Sequence, residues 1–260
     1  MSGKPGMQYP SSAGDTREDS AALAEAIEGV AKSLRLEMPA PKGSLFYGLD
    51  HGLPYAVELL HLLGSQGIFR KYEFVLEVFS GLGGRARWAT RQFGCRVLGL
   101  EPDLHAAQIA TRLGESSGTL GEAVFCGGAP ETLPFRSGAF THAWWLDSRR
   151  GMRVEDSLSE ISRVVRDGGY FAWVLQEDKD SREWAREQLR ATGFVVTEER
   201  RTRVLAPDTT RRVAEQRLER LLQARAPLLK MWKEQTGWDS RMPESLMLLF
   251  ARREAKRVAG

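Results

Sequence analysis

Residues 73–103 read EFVLEVFSGLGGRARWATRQFGCRVLGLEPD. The apolar run Phe74–Phe79 predicts a buried strand. Gly81, Gly83 and Gly84 then mark a turn. Glycine reaches positive φ there and, with no Cβ, lets a ligand come close to the backbone. A helix over Arg85–Phe93 and a second strand over Arg96–Leu100 follow, and Glu101 closes that strand. A helix starting on such a turn offers free N–H groups and the positive end of its dipole, which stabilise a phosphate or a carboxylate. Glu101 lies 20 residues beyond Gly81, where a carboxylate can accept both hydroxyl protons of a ribose.

Outward from this unit, strands and helices alternate. Strands are expected at Ala123–Cys126, Ala139–Leu146 and, after the turn Asp167-Gly168-Gly169, at Tyr170–Leu175. Helices are expected at Leu104–Leu113, around Leu158, Ile161 and Val165, and at Arg182–Ala191. Such alternation implies a parallel sheet with helices on both faces. Phe194–Glu198 and Leu246–Ala251 read as two further strands, able to pair antiparallel at the sheet edge. Between them runs a helical period through Ala214, Leu218, Leu221 and Leu222, which Pro227 is expected to kink or end. Before the core, Leu23, Ile27, Val30 and Leu34 predict a helix capped by Asp19 or Ser20, and a second helix is expected over Tyr55–Leu63. The expected class is α/β: a mixed seven-stranded sheet, mostly parallel with an antiparallel last strand. The expected segments are a disordered tail (1–18), an N-terminal helical cover (19–70), a cofactor-binding core (71–204), a helical cap insertion (205–243), and the last strand and tail (244–260).

Composition narrows the classes. The net charge of +3 is too small to argue for nucleic acid, and the basic stretch Arg200–Arg225 also carries Glu215 and Glu219, as a solvated helix face does. No apolar run approaches a membrane span, and the first residues lack the apolar stretch of a secretion signal. Two cysteines, Cys95 and Cys126, fall in or beside core strands without metal-ligand neighbours, so a reduced, cytoplasmic protein with no metal is expected.

The glycine loop alone leaves two cofactors open. Gly81 to Ala86 matches the dinucleotide pattern G-x-G-x-x-G/A, and it also fits a loop that holds S-adenosylmethionine. Four segments in order separate them: VLEVFSGLGG, GCRVLGLEPD, APETLPFRSGAF and SEISRVVRDGGYFAWV. With these, about residues 45–200 resemble class I S-adenosylmethionine-dependent methyltransferases, with a Rossmann-like core. The SGLGG-x-AR-x-A pattern is similar to the small-molecule members, the glycine, sarcosine and phosphoethanolamine N-methyltransferases. The resemblance implies Glu77, Phe79, Gly81 and Gly83 around the methionine part of S-adenosyl-L-methionine. It implies Glu101 on the ribose, Pro102 beside the adenine, Ala129, Pro130 and Glu131 along the adenine edge, and Trp144 at the end of strand four. The family usually has glycine at position 79, so the Phe79 ring must turn away from the cofactor or intrude on it. An acid usual after strand three is replaced by the run Cys126-Gly127-Gly128-Ala129.

The candidate proton-handling residues are Asp147, just after strand four, and His51, ahead of the second helix. On the substrate side, Trp145 is a candidate wall of the acceptor pocket, Tyr47 a candidate closure over the cofactor's carboxylate, and Trp232 and Trp238 a candidate apolar lid, while His142 reads as structural. The expected partner is a small-molecule methyl acceptor, with a homo-oligomer or protein partner open. The sequence also leaves three rival readings: a non-catalytic protein of the same fold, a nicotinamide or flavin oxidoreductase, and an RNA methyltransferase.

Overall fold

The computed structural model describes residues 17–53, 56–66, 69–147, 153–176, 179–203, 209–237 and 244–254. Residues 1–16, Tyr55 and Trp238 lie outside these, and with them most of the expected tail, the expected first residue of the second helix and one aromatic candidate.

Seven strands form one sheet: β1 (Phe74–Val78), β2 (Arg96–Glu101), β3 (Ala123–Gly127), β4 (Phe140–Trp145), β5 (Val165–Gln176), β6 (Phe194–Arg203) and β7 (Ser245–Arg253). Their order is β3-β2-β1-β4-β5-β7-β6. The five strands β1 to β5 run parallel, and β7 is antiparallel to both of its neighbours. The expected class is therefore found. The order reverses between β1 and its neighbours β2 and β4, and such switch points open a crevice at the carboxyl ends of the strands.

Helices α3 (Gly84–Phe93) and α4 (Leu104–Ser116) follow β1 and β2, while α5 (Val154–Val164) and α6 (Lys179–Ala191) follow β4 and β5. Strand alternation sorts the core between them. Leu76, Ala143, Trp145, Phe171, Trp173, Leu249 and Ala251 pack toward α5 and α6. Val75, Val97, Trp144, Val174, Leu248 and Phe250 pack toward α2 (Ala56–Ser65) and α3. A third cluster joins α1 (Arg17–Arg35), α4, α7 (Thr209–Leu222) and α8 (Ala226–Thr236) over Phe46, Tyr47, Leu49 and Leu82. The stripe Leu23, Ile27, Val30 and Leu34 on α1 is buried as its spacing predicted, each side chain contributing about 1.5–3 kcal/mol.

Several expectations are corrected. Asp19 and Ser20 lie inside the first turn of α1 and do not cap it. Instead, Ser20 Oγ bonds His105 Nδ1 at 3.1 Å. The Asp167–Gly169 turn does not precede β5 but lies within it, because the strand leaves α5 directly at Val165 and shifts register against β4. Pro227 neither kinks nor ends a helix. It sits in the first turn of α8, where its missing N–H costs no bond.

Candidate active site

The glycine loop joins β1 to α3 at the switch point. Gly81 and Gly83 have φ of 55° and 77°, the conformation glycine tolerates. Phe79 holds φ 59° as well, where a side chain costs about 1–2 kcal/mol. Its ring turns away from β1's α3 face into the core on the α5/α6 face, sharing a cluster with Leu100 and Leu133 and lying 5.1 Å from the Trp145 ring. The three glycines differ in what faces them. A Cβ at Gly83 would lie 2.4 Å from the Phe125 ring, and one at Gly84 would lie 2.5 Å from the Asp50 backbone. At Gly81 nothing stands within 4 Å, although the residue itself is buried.

Glu101 ties the loop to β2. One carboxylate oxygen accepts the Gly81 N–H at 2.8 Å and the other accepts the Asp103 N–H at 3.1 Å. Asp103 caps α4 through His105 N (2.9 Å), and its other oxygen accepts Gln235 Nε2 of α8 at 2.6 Å. The cap helix is thus fastened two residues from Glu101. Beyond Glu101 the rim is half-open: Pro102, Ala129 and Glu131 are partly exposed, and Pro130 is buried.

Two arginines missed by the sequence reading organise the other side. Arg85 Nε donates to Glu77 Oε1 at 2.6 Å, its Nη2 to the Phe79 carbonyl at 2.6 Å and its Nη1 to the His51 carbonyl at 3.3 Å. Arg87 Nη2 donates to Asp50 Oδ2 at 2.8 Å and to the Leu82 carbonyl. All four charged groups are at most 2% exposed. Burial pushes the Glu77 carboxyl up, and the Arg85 charge beside it pulls part of the way back. Arg85 also lies within the fields of Asp147 and Glu101. Burial pushes His51 down to about 4, with Asp50 opposing, so its imidazole is neutral at pH 7. The fold therefore brings Glu77, Glu101, Asp147 and His51 around one buried guanidinium.

Five buried polar atoms in this region have no hydrogen-bond partner: Asp50 Oδ1, His51 Nδ1, Glu77 Oε2, Ser80 Oγ and Trp144 Nε1. The Trp144 indole is close enough to Glu77 to favour its ionised form, yet makes no bond of normal geometry. Natural folds leave few such atoms.

The candidate acceptor residues are not gathered in one place. Trp145 faces the α5/α6 side between Phe79 and Trp173, and its Nε1 donates to the Asp147 carbonyl at 3.2 Å. Tyr47 donates its hydroxyl to the Met38 carbonyl at 2.8 Å, which commits it away from the loop. Trp232 donates to the Leu49 carbonyl at 3.3 Å and packs within the cap cluster. His142 is structural, stacked on Tyr170 with Nδ1 3.3 Å from Glu73.

Residues 76–173 match the family described as Methyltransferase domain. This segment is similar to a methyltransferase domain. Among curated relatives, the methyltransferase segment is 29% identical over 111 residues to sterol 24-C-methyltransferase erg6 of Schizosaccharomyces pombe, covering 41% of this chain and 29% of the relative. It is 30% identical over 102 residues to the sarcosine/dimethylglycine N-methyltransferase of Halorhodospira halochloris, covering 39% and 37%. The chain spans about a third of the length of these relatives. The solved structure of the [4+2]-cyclase SpnF superimposes with a TM-score of 0.64 at 17% identity, over 91% of this chain and 93% of that one. Its likeness concerns the fold.

Proposed function

We propose that this protein is an S-adenosylmethionine-dependent methyltransferase acting on a small-molecule acceptor. The observation that carries the reading is the junction of Glu101 with Gly81: a buried acid at the end of β2, its carboxylate held 2.8 Å from the amide of the one loop glycine with open space before it. The sugar and adenine ends of the cofactor fit the residues present. Glu101 would take the ribose, and Pro102, Ala129, Pro130 and Glu131 the base. Glu77, Gly81, Ser80 and Trp144 offer buried, unsatisfied atoms or space toward the methionine end. At that end Gly83 and Gly84 are covered by Phe125, Asp50 and His51, so the segment 48–53 must give way for the amino-acid tail.

When bound, the cofactor supplies an activated methyl carbon. The protein's own part is to orient the acceptor, exclude water and hold a proton. Positioning alone can lower such a barrier by up to about 7–11 kcal/mol, so a strong base is not obligatory. Asp147, 3% exposed at the end of β4, and the neutral His51 are the groups available to take a proton from an acceptor that brings one. The relatives named for sterol C-methylation and sarcosine N-methylation suggest carbon and amine acceptors as the first to test.

A cytoplasmic setting is part of the proposal. Both cysteines are free, burial pushes the Cys95 thiol up to about 12, and no described helix is long and apolar enough to cross a membrane. Calorimetric titration with S-adenosylhomocysteine tests the reading. Saturable binding is expected, and no binding at millimolar ligand overturns it.

A further inference from the structure

At the opposite end of the strands lies a cleft of about 800 Å³, lined by the starts of β4 and β5, the ends of α5 and α6, and the last residue of β7. Alternation along β7 turns Met247, Leu249 and Ala251 toward the α5/α6 core. Arg253 continues that row. At the end of that row stands Arg253, a residue only 8% exposed. Its hydrogen bond runs from Nη1 to Ser162 Oγ at 2.7 Å. Its Nε is buried with no acceptor, and no described carboxylate lies within ion-pair distance. The buried arginines elsewhere, Arg85, Arg87 and Arg211, each hold a carboxylate at 2.6–2.8 Å. A cation at this depth without a counter-charge is incompletely compensated. An anion entering the cleft would supply the missing partner.

The other lining groups favour the same ligand. Arg166 lines the cleft with its side chain 55% exposed, one guanidinium nitrogen standing 3.7 Å from Glu73. Ser137 presents an exposed hydroxyl. Arg163 lines the wall but is committed to Glu160 and to the carbonyls of Leu133 and Phe135. The exposed carboxylates Asp167 and Glu254 stand on the rim. They oppose a diffuse anion more than one held by a fixed guanidinium fork.

We propose that this cleft is a second ligand site, taking a phosphate-type oxyanion on Arg253 with Arg166 and Ser137. Its volume exceeds bare phosphate and suits a small phosphomonoester. The site is remote from the glycine loop and stands whether or not the chain transfers methyl groups.

The test is thermal unfolding and calorimetry with inorganic phosphate and, separately, glycerol 3-phosphate, against chloride at matched ionic strength. Both phosphates are expected to raise the melting temperature beyond chloride. The tighter of the two identifies the source as the free ion or the ester. Arg253→Met is expected to weaken binding by about tenfold or more, and the exposed Arg166→Ala by about threefold. S-adenosylhomocysteine binding should be unchanged in both, showing that the fold is intact. Phosphates acting no better than chloride overturn the site, as does undiminished binding by Arg253→Met. If Arg253→Met fails to fold, unchanged affinity in Arg166→Ala overturns it.

Discussion

The two ends of the sheet bury arginine in opposite ways. Beside the glycine loop, Arg85 and Arg87 each hold a carboxylate, and between them they fasten segment 50–51 onto the loop. At the far end Arg253 has a serine hydroxyl and no acid. A paired buried charge is scaffold: it fixes geometry and gives back most of its desolvation cost. An unpaired one is an incomplete site. The loop end is incomplete in another sense, because its unsatisfied atoms are the acceptors and donors next to the pairs rather than the charges themselves.

The sharpest way to break this contrast is to remove one arginine from each end. Arg87→Met leaves Asp50 buried and alone, and should cost about 3–5 kcal/mol in urea unfolding. Arg253→Met strands only the Ser162 hydroxyl, which retains the Thr192 carbonyl, and should cost about 1 kcal/mol or less. Equal losses would mean that pairing does not distinguish the two ends.

A smaller net effect is expected at the loop itself. Phe79→Gly forfeits about 3–5 kcal/mol of packing but recovers about 1–2 kcal/mol of left-handed strain, so a loss of about 1–4 kcal/mol should remain. If the ring narrows the cofactor hollow, the same variant binds S-adenosylhomocysteine more tightly. Weaker binding by calorimetry would show that the ring supports the site.

Protonation probes both ends together. His51 lies beside the loop and His142 below the sheet, and burial takes each down to about 4 from 6.5. The unfolded chain then binds more protons than the folded one between those values. Stability from both groups is complete above pH 6.5 and lost as pH falls toward 4, at up to about 1.4 kcal/mol per pH unit for each. Replacing either histidine with glutamine should remove half of that slope. A slope unaffected by both replacements would place the titration elsewhere.

The smallest effect separates the glycines. Gly81→Ala meets open space and should cost about 1 kcal/mol, from φ alone. Gly83→Ala must also displace the Phe125 ring, so it should cost distinctly more by the same unfolding measurement. Equal costs would deny the hollow in front of Gly81.

Period-two and helical apolar patterns located all seven strands to within a few residues, although β6 runs to Arg203 rather than Glu198 and β7 to Arg253 rather than Ala251. Those extensions were hidden because Glu198–Arg203 is uniformly polar, an edge strand with no buried face to betray it. Glu77, Gly81 and Glu101 were legible because the chain that carries them is local, one strand-turn-helix-strand unit. Phe125, Asp50 and Gln235 were not, since each meets its partner across a long stretch of sequence.

The amino-acid order by itself determined the parallel alternation, the switch-point loop and the acid that closes β2, because each follows from spacing within about thirty residues. Only tertiary packing decided that Phe79 turns into the core, that Gly83 and Gly84 serve segment 50–51 and Phe125 while Gly81 keeps its space, and that Arg253 is buried without an acid. Those outcomes depend on which distant side chain arrives first in a close-packed interior, and no local pattern encodes that.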